Sequence, residues 1–327
     1  MIEVMRTSIT IVTVCMNREE HLVRTACAVA RWPHHQTHII VDWSSEVPLL
    51  RSDLPSDSRI RLVRVNDEKV WSPALAYNFG ISLVTTDYVM RMDADCWPEM
   101  YWEPLAEIDF DAAYVGKGGA GRFGQFLMPL DMFDRVGGFN ERMVGWGFED
   151  KDLRFRLKFQ SGVRLIELCD KCIGVLEHSN GKRVSGQGVS TIHQSLAALR
   201  ASRLRNQLIA AYCPHGYFSP RSLYVQGPND SWSLQDHTRP VLSISLQKKI
   251  AEAMRRCFWG SYLALPDQVV ELLPQRMLPP QRNGFWRVAW WHRLYALFIK
   301  PIALFPAHCL SLLKGCASWA RGDVLCK

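Results

Sequence analysis

The stretch Tyr88-Val89-Met90-Arg91-Met92-Asp93-Ala94-Asp95 runs from a mostly apolar segment straight into two carboxylates. Its length and composition predict a buried strand over 88–92 that delivers Asp93 at its C-terminal end. Three segments upstream read the same way. Ile9 to Cys15 is almost wholly β-branched, His38 to Asp42 also ends in a carboxylate, and Ile60 to Val65 alternates apolar with basic residues. Between them, Glu19 to Ala30 and Pro73 to Val84 read as helices, the second with proline in its first turn. Strands separated by helices imply an α/β chain with a largely parallel sheet and right-handed crossovers. Ligands of open α/β sheets bind outside the carboxyl ends of the strands. Asp42 and Asp93 both fall there.

Further along, Ala112 to Val115 reads as a strand, 116–124 as a glycine-rich turn, Pro129 to Val136 and Glu149 to Phe159 as helices, and Val163 to Leu168 as a strand. A polar, glycine-rich loop follows over 179–188, then a helix over 190–212, a loop-heavy stretch over 214–240, and short helices from 241. The expected organisation is an α/β domain over 1–183, a helical and loop extension over 184–283, and a tail over 284–327.

The tail differs in chemistry from the body. The chain carries a net charge of +7, and all of it lies beyond Glu271, where Asp323 is the only acidic residue. Trp286, Trp290, Trp291 and Trp319 are interleaved there with aliphatic residues and Arg287, Arg293 and Lys300. Aromatic and cationic residues together suit an anionic membrane surface. The alternative is a helix packed on the chain's own core. Pro301 and Pro306 interrupt any span, which needs about 20 apolar residues. No nucleic-acid motif accompanies the charge. Residues Met1 to Arg6 carry Glu3 and lead directly into a strand pattern. We therefore expect no cleavable signal peptide and a cytoplasmic chain, peripheral on the inner membrane face. Ten cysteines are too few for a disulfide scaffold, and Cys169-x-x-Cys172 lacks the second pair that a zinc site needs.

Two motifs carry chemistry. Asp93-Ala94-Asp95, at the end of a buried strand, matches the way Mg2+ or Mn2+ is held by one or two carboxylates plus substrate phosphates. Downstream, Gly137-Gly138-Phe139-Asn140-Glu141 precedes Gly145-Trp146-Gly147-Phe148-Glu149-Asp150-Lys151-Asp152. Glycines allow a tight turn against a ligand, and tryptophan offers a face on which a sugar ring stacks. Carboxylates in a first helical turn sit at the positive end of its dipole.

These stretches resemble GT-A-fold glycosyltransferases. Asn78-Phe79-Gly80 through Asp93-Ala94-Asp95 resembles the nucleotide-sugar half of the family 2 type. The Gly-Trp-Gly turn with Glu149-Asp150 is similar to the C-terminal motif of galactosyltransferases. The resemblance implies a Rossmann-like GT-A sheet and a nucleoside-diphosphate sugar, most simply a UDP-sugar. It implies nucleotide contacts from Val14, Arg18, Asp42, Asn78 and Asp93. Trp146, Gly147 and Glu149 would bind sugar, and Asp150 would be the base of an inverting single displacement. Mn2+ or Mg2+ would lie on Asp93, Asp95 and His178, with His193 as a substitute for the histidine. Cys15-Met16 and Trp43 depart from the usual pattern and leave the base open. A glycan or lipid-linked acceptor would fit the basic tail. The rival readings are a nucleotidyltransferase on a similar sheet and a non-catalytic carbohydrate-binding relative.

Overall fold

The computed structural model describes residues 8–100, 102–103, 109, 111–118, 121–176 and 192–259, together with 281–282 and 285–286. Side chains at 192–201 and from 255 onward lie outside the description. Residues 1–242 form one compact unit and 243–327 another.

Within the first unit, β1 (Ile9–Cys15), β2 (Thr37–Trp43), β3 (Ile60–Asn66) and β4 (Tyr88–Arg91) alternate with α1 (Glu19–Arg31) and α2 (Pro73–Ser82). Trp32-Pro33 ends α1, because proline cannot continue the hydrogen-bond ladder. Ser72 caps α2 by accepting from the Leu75 amide at 3.4 Å, with Pro73 in the first turn. The strands pair in parallel in the order β3-β2-β1-β4, as Val14 opposite Val41 and Arg91 opposite Val12 show. Successive β1 side chains face opposite sides. Val12 and Val14 pack into a core shared with α2, whereas Ile9 and Ile11 join a second core with Trp32 and Met90.

The sheet then departs from a purely parallel plan. Beside β4 lies β7 (Phe126–Pro129), antiparallel to it, followed by β6 (Ala112–Val115) and β8 (Arg164–Glu167). The strand β7 went unread because it has only four residues and ends in proline. At the other edge, β11 (Ser231–Leu234) adds to β3 in parallel, and β10 (Tyr224–Gln226) adds to β11 antiparallel. Both come from the stretch that reads as loop. They are short and flank Gly227-Pro228, and become strands only because β11 pairs with β3 and β10 with β11. A separate pair joins β5 (Cys96–Pro98) to β9 (Ile173–Val175). Helices α3 (Leu130–Arg135), α4 (Glu149–Phe159) and α5 (Ile192–Tyr212) complete this unit. The result is a mostly parallel α/β sheet with flanking helices.

The described part of the second unit is α6 (Ile244–Trp259) and a pairing of 281–282 with 285–286. No helix among the described residues is long and apolar enough to cross a membrane. Apart from 285–286, the basic aromatic tail over 284–327 lies outside the described residues.

Candidate active site

The chain leaves β1 toward β2 on one side and finds β4 on the other, so the strand order reverses between β1 and β4. Such switch points open a crevice at the carboxyl ends of the strands. A cavity of about 490 Å³ lies there. Val14 and Arg18 reach it from the end of β1, Asp93 and Asp95 from the end of β4, and Trp146, Gly147, Glu149 and Asp150 from the entry to α4. Two acidic motifs more than fifty residues apart therefore face one space.

Asp93 is held from several sides. Its Oδ1 accepts from the Tyr77 hydroxyl at 2.7 Å and from Arg91 Nη2 at 3.1 Å. Gln125 closes the other side, donating from Nε2 to Oδ2 at 2.8 Å while its Oε1 accepts from the Asp93 amide at 2.9 Å. Burial pushes this carboxyl up, but Arg91, Tyr77 and Gln125 outweigh it and hold the group below the usual carboxylate range. Asp95 lies two residues on, its Oδ1 accepting from the Cys96 thiol at 3.4 Å. Burial, Asp95 and Asp93 all push that thiol upward, so it stays protonated and serves as a donor.

The second motif is aimed by its backbone. Gly145 and Gly147 take φ of 77° and 97°, and Phe148, at φ 80°, continues the left-handed path into α4. This conformation costs a non-glycine residue about 1 kcal/mol or more. The turn is pinned by α5, where Asn206 Nδ2 donates to the Gly147 carbonyl at 2.8 Å and Asn206 Oδ1 accepts from the Val144 amide at 3.2 Å. Glu149 is buried, and its Oε2 has no hydrogen-bond partner among the described residues. Burial first, and the neighbouring Asp150 second, push its carboxyl up to about 7. Asp150 is half-buried on the cavity wall and accepts from the Lys151 amide at 2.7 Å.

Two residues expected at the nucleotide, Asp42 and Asn78, do not line this cavity. Asp42 lies in β2 one residue before its end at Trp43, but it is buried. Its oxygens accept from the Ser45 amide at 3.0 Å, the Leu49 amide at 3.1 Å and the Arg64 guanidinium, so it clamps the loop after β2. Asn78 is likewise buried, tying α2 to Phe139 and Glu141 through both ends of its amide. His178 lies outside the described residues, and so does the His193 side chain.

Three residues of the site escaped the sequence. Arg91 and Gln125 fix Asp93, and Asn206 fixes the Gly-Trp-Gly turn. A basic residue inside an apolar strand was the signal for Arg91. The other two had none, because each acts across a long sequence separation.

Residues 10–116 match the model of glycosyl transferase family 2, and residues 107–178 match that of the N-terminal domain of galactosyltransferase. No curated protein matches the sequence. Among solved structures, a Pyrobaculum calidifontis mannosyltransferase in complex with GDP-Man and Mn2+ is 15% identical, with a TM-score of 0.45 over 61% of either chain. GalNAc-T7 with UDP, GalNAc and Mn2+ is 14% identical at TM-score 0.45, covering 60% of this chain and 47% of that one. The catalytic domain of Drosophila β1,4-galactosyltransferase 7 with xylobiose is 13% identical at TM-score 0.43, over 74% and 96%. The chain thus spans about half to three fifths of the length of the first two. Residues 10–116 are thus similar to family 2 glycosyl transferases and residues 107–178 to the N-terminal domain of galactosyltransferase, the two matches overlapping at 107–116.

Proposed function

We propose that this protein transfers a sugar from a nucleoside-diphosphate sugar, a UDP-sugar, to an acceptor hydroxyl with inversion at the anomeric carbon. The observation that carries this reading is the convergence of Asp93, Asp95, Glu149 and Asp150 on one cavity at the β1–β4 switch point. Asp150 takes the proton of the acceptor hydroxyl as its oxygen bonds to the anomeric carbon. The bond from that carbon to the diphosphate breaks, and its electron pair leaves with the phosphate oxygen. Trp146 offers an apolar face to a sugar ring, and Glu149 on the same cavity wall hydrogen-bonds sugar hydroxyls.

A divalent cation suits the donor set. No group of three His, Cys, Asp or Glu gathers as a metal site among the described residues. The chain therefore offers Asp95, and Asp93 beside it, as oxygen donors at the cavity wall. That set fits Mn2+ or Mg2+, which take one or two carboxylates and complete their shell with phosphate and water. When bound there, the ion supplies charge neutralisation for the departing diphosphate.

The basic tail supports an acceptor at an anionic membrane surface on the cytoplasmic side, a lipid-linked or surface glycan. Removing residues 284–327 then abolishes pelleting with anionic vesicles, and unchanged pelleting would refute that part. The reaction itself is tested with a panel of nucleotide sugars and Mn2+. Wild type releases nucleoside diphosphate with one or more of them and Asp150→Ala does not. Equal release by both would overturn the role of Asp150.

A further inference from the structure

Arg91 is the one charged residue of β4, and its side chain is only 4% exposed. An unpaired guanidinium buried this deeply carries a large desolvation cost. The surroundings show what offsets it. The guanidinium carbon lies 4.2 Å from the centroid of the Tyr77 ring and 5.3 Å from that of Phe139, close enough for cation–π attraction from both. One nitrogen, Nη2, then faces both acidic motifs at once, 3.1 Å from Asp93 Oδ1 and 3.6 Å from Glu149 Oε1. Nε lies a further 3.3 Å from Asp93 Oδ1.

Gly124 keeps this approach open. A Cβ there would stand 3.3 Å from Arg91 Nη2 and 3.4 Å from Asp93 Oδ2, pressing on the same contact. Tyr77, Gln125 and Gly124 thus surround a single junction where β4, the arm before β7 and the start of α4 meet. Arg156, by contrast, pairs with Asp152 within α4, and Arg64 with Asp42.

We infer that Arg91 is the positioning residue that registers the Glu149-Asp150 turn against the Asp93-Ala94-Asp95 turn. It does not touch the reacting atoms. It fixes the spacing between the groups that hold the donor and the group that takes the acceptor proton. A misplacement of about 1 Å in such a pair costs on the order of 100-fold in rate. A lysine in its place keeps the charge but carries it on a flexible stem, without the planar guanidinium that stacks on Tyr77 and Phe139 and holds Nη2 between the two carboxylates. The inference rests on the glycosyltransferase reading for its kinetic consequence, but not for the contact itself.

The test uses wild type, Arg91→Lys, Glu149→Gln and the double variant, measured in two ways. In the transfer assay with Mn2+, Arg91→Lys lowers kcat per folded molecule by about 100-fold while donor KM shifts by less than about 3-fold. The double variant is then no slower than the slower single variant, because both remove one link. A role in stability alone would leave kcat per folded molecule intact or make the two effects multiply, and either result overturns the inference. Thermal unfolding without any ligand reads the same pair independently. Non-additive shifts of Tm support the Arg91–Glu149 link, and additive shifts overturn it even if no sugar donor is ever turned over. Should Arg91→Lys not fold, Gly124→Ala keeps the arginine but crowds the junction. A fall in its kcat at unchanged donor KM supports the inference, and wild-type kcat contradicts it.

Discussion

Asp42 and Asp93 look alike in sequence: each falls at the carboxyl end of a buried parallel strand and each precedes a turn. The structure uses them differently. Asp42 spends its oxygens on two backbone amides and Arg64, with 1% of its surface exposed. Asp93 is clamped as firmly, yet its side chain is 32% exposed and opens on the cavity with Asp95 beside it. The difference lies in the neighbouring connection. After β2 the chain curls back within seven residues and offers amides to the carboxylate, while after β4 it runs out at the switch point and leaves a crevice. An acid at a strand end is a site only where the topology opens the sheet.

The largest effect follows from the cavity side of this comparison. Replacing Asp95 or Asp150 with Ala lowers transfer by about 1000-fold with little change in Tm, measured by product formation and thermal unfolding on the same samples. On the other side, Asp42→Ala removes a buried acceptor from two amides and a guanidinium. It costs about 3 kcal/mol of stability by denaturant titration, while kcat per folded molecule is unchanged. Asn78→Ala behaves like Asp42→Ala at a smaller scale. It strips two donated hydrogen bonds and one accepted bond from the Gly138–Glu141 turn and costs about 2 kcal/mol.

Much of this architecture was legible, for physical reasons that can be named. Strands β1, β2 and β4 were readable because both faces are buried and the residues are correspondingly apolar, and β3 because its apolar residues alternate with arginines. The two acidic motifs were readable because their chemistry is local, as Glu149 and Asp150 sit side by side in one helical turn. Strands β10 and β11 were not, since Ser231-Trp232-Ser233-Leu234 becomes a strand only by pairing with β3. The burial of Asp42 and Asn78 was equally hidden. Their residue types announce polar chemistry, but their partners come from loops whose approach no single segment encodes. Arg91 sits between these cases, visible as an oddity in its strand and intelligible only once Tyr77, Phe139 and Glu149 surround it.

A smaller effect tests the core away from the site. His35, His38 and His215 are buried and lowered to about 4, 3 and 3, in each case chiefly by burial. Each remains neutral in the folded protein while the unfolded chain takes up a proton below about 6.5, so stability falls as the pH drops from there. Glu149 acts in the opposite sense, because its raised carboxyl binds a proton in the folded state over about pH 4.5–7. Glu68, Glu141 and Asp152, whose carboxyls burial also raises, act in the same sense as Glu149 and soften the loss that the three histidines impose as the pH falls below about 6.5. Replacing Glu149 with Gln steepens that loss in thermal unfolding.

The most direct test of the central claim is calorimetric titration of UDP, with and without Mn2+, into wild type, Asp42→Ala and Asp95→Ala. Wild type and Asp42→Ala should bind UDP with a metal-linked gain in affinity, and Asp95→Ala should lose that gain. Metal-linked binding that persists in Asp95→Ala but vanishes in folded Asp42→Ala would place the nucleotide at the wrong strand end and contradict the account.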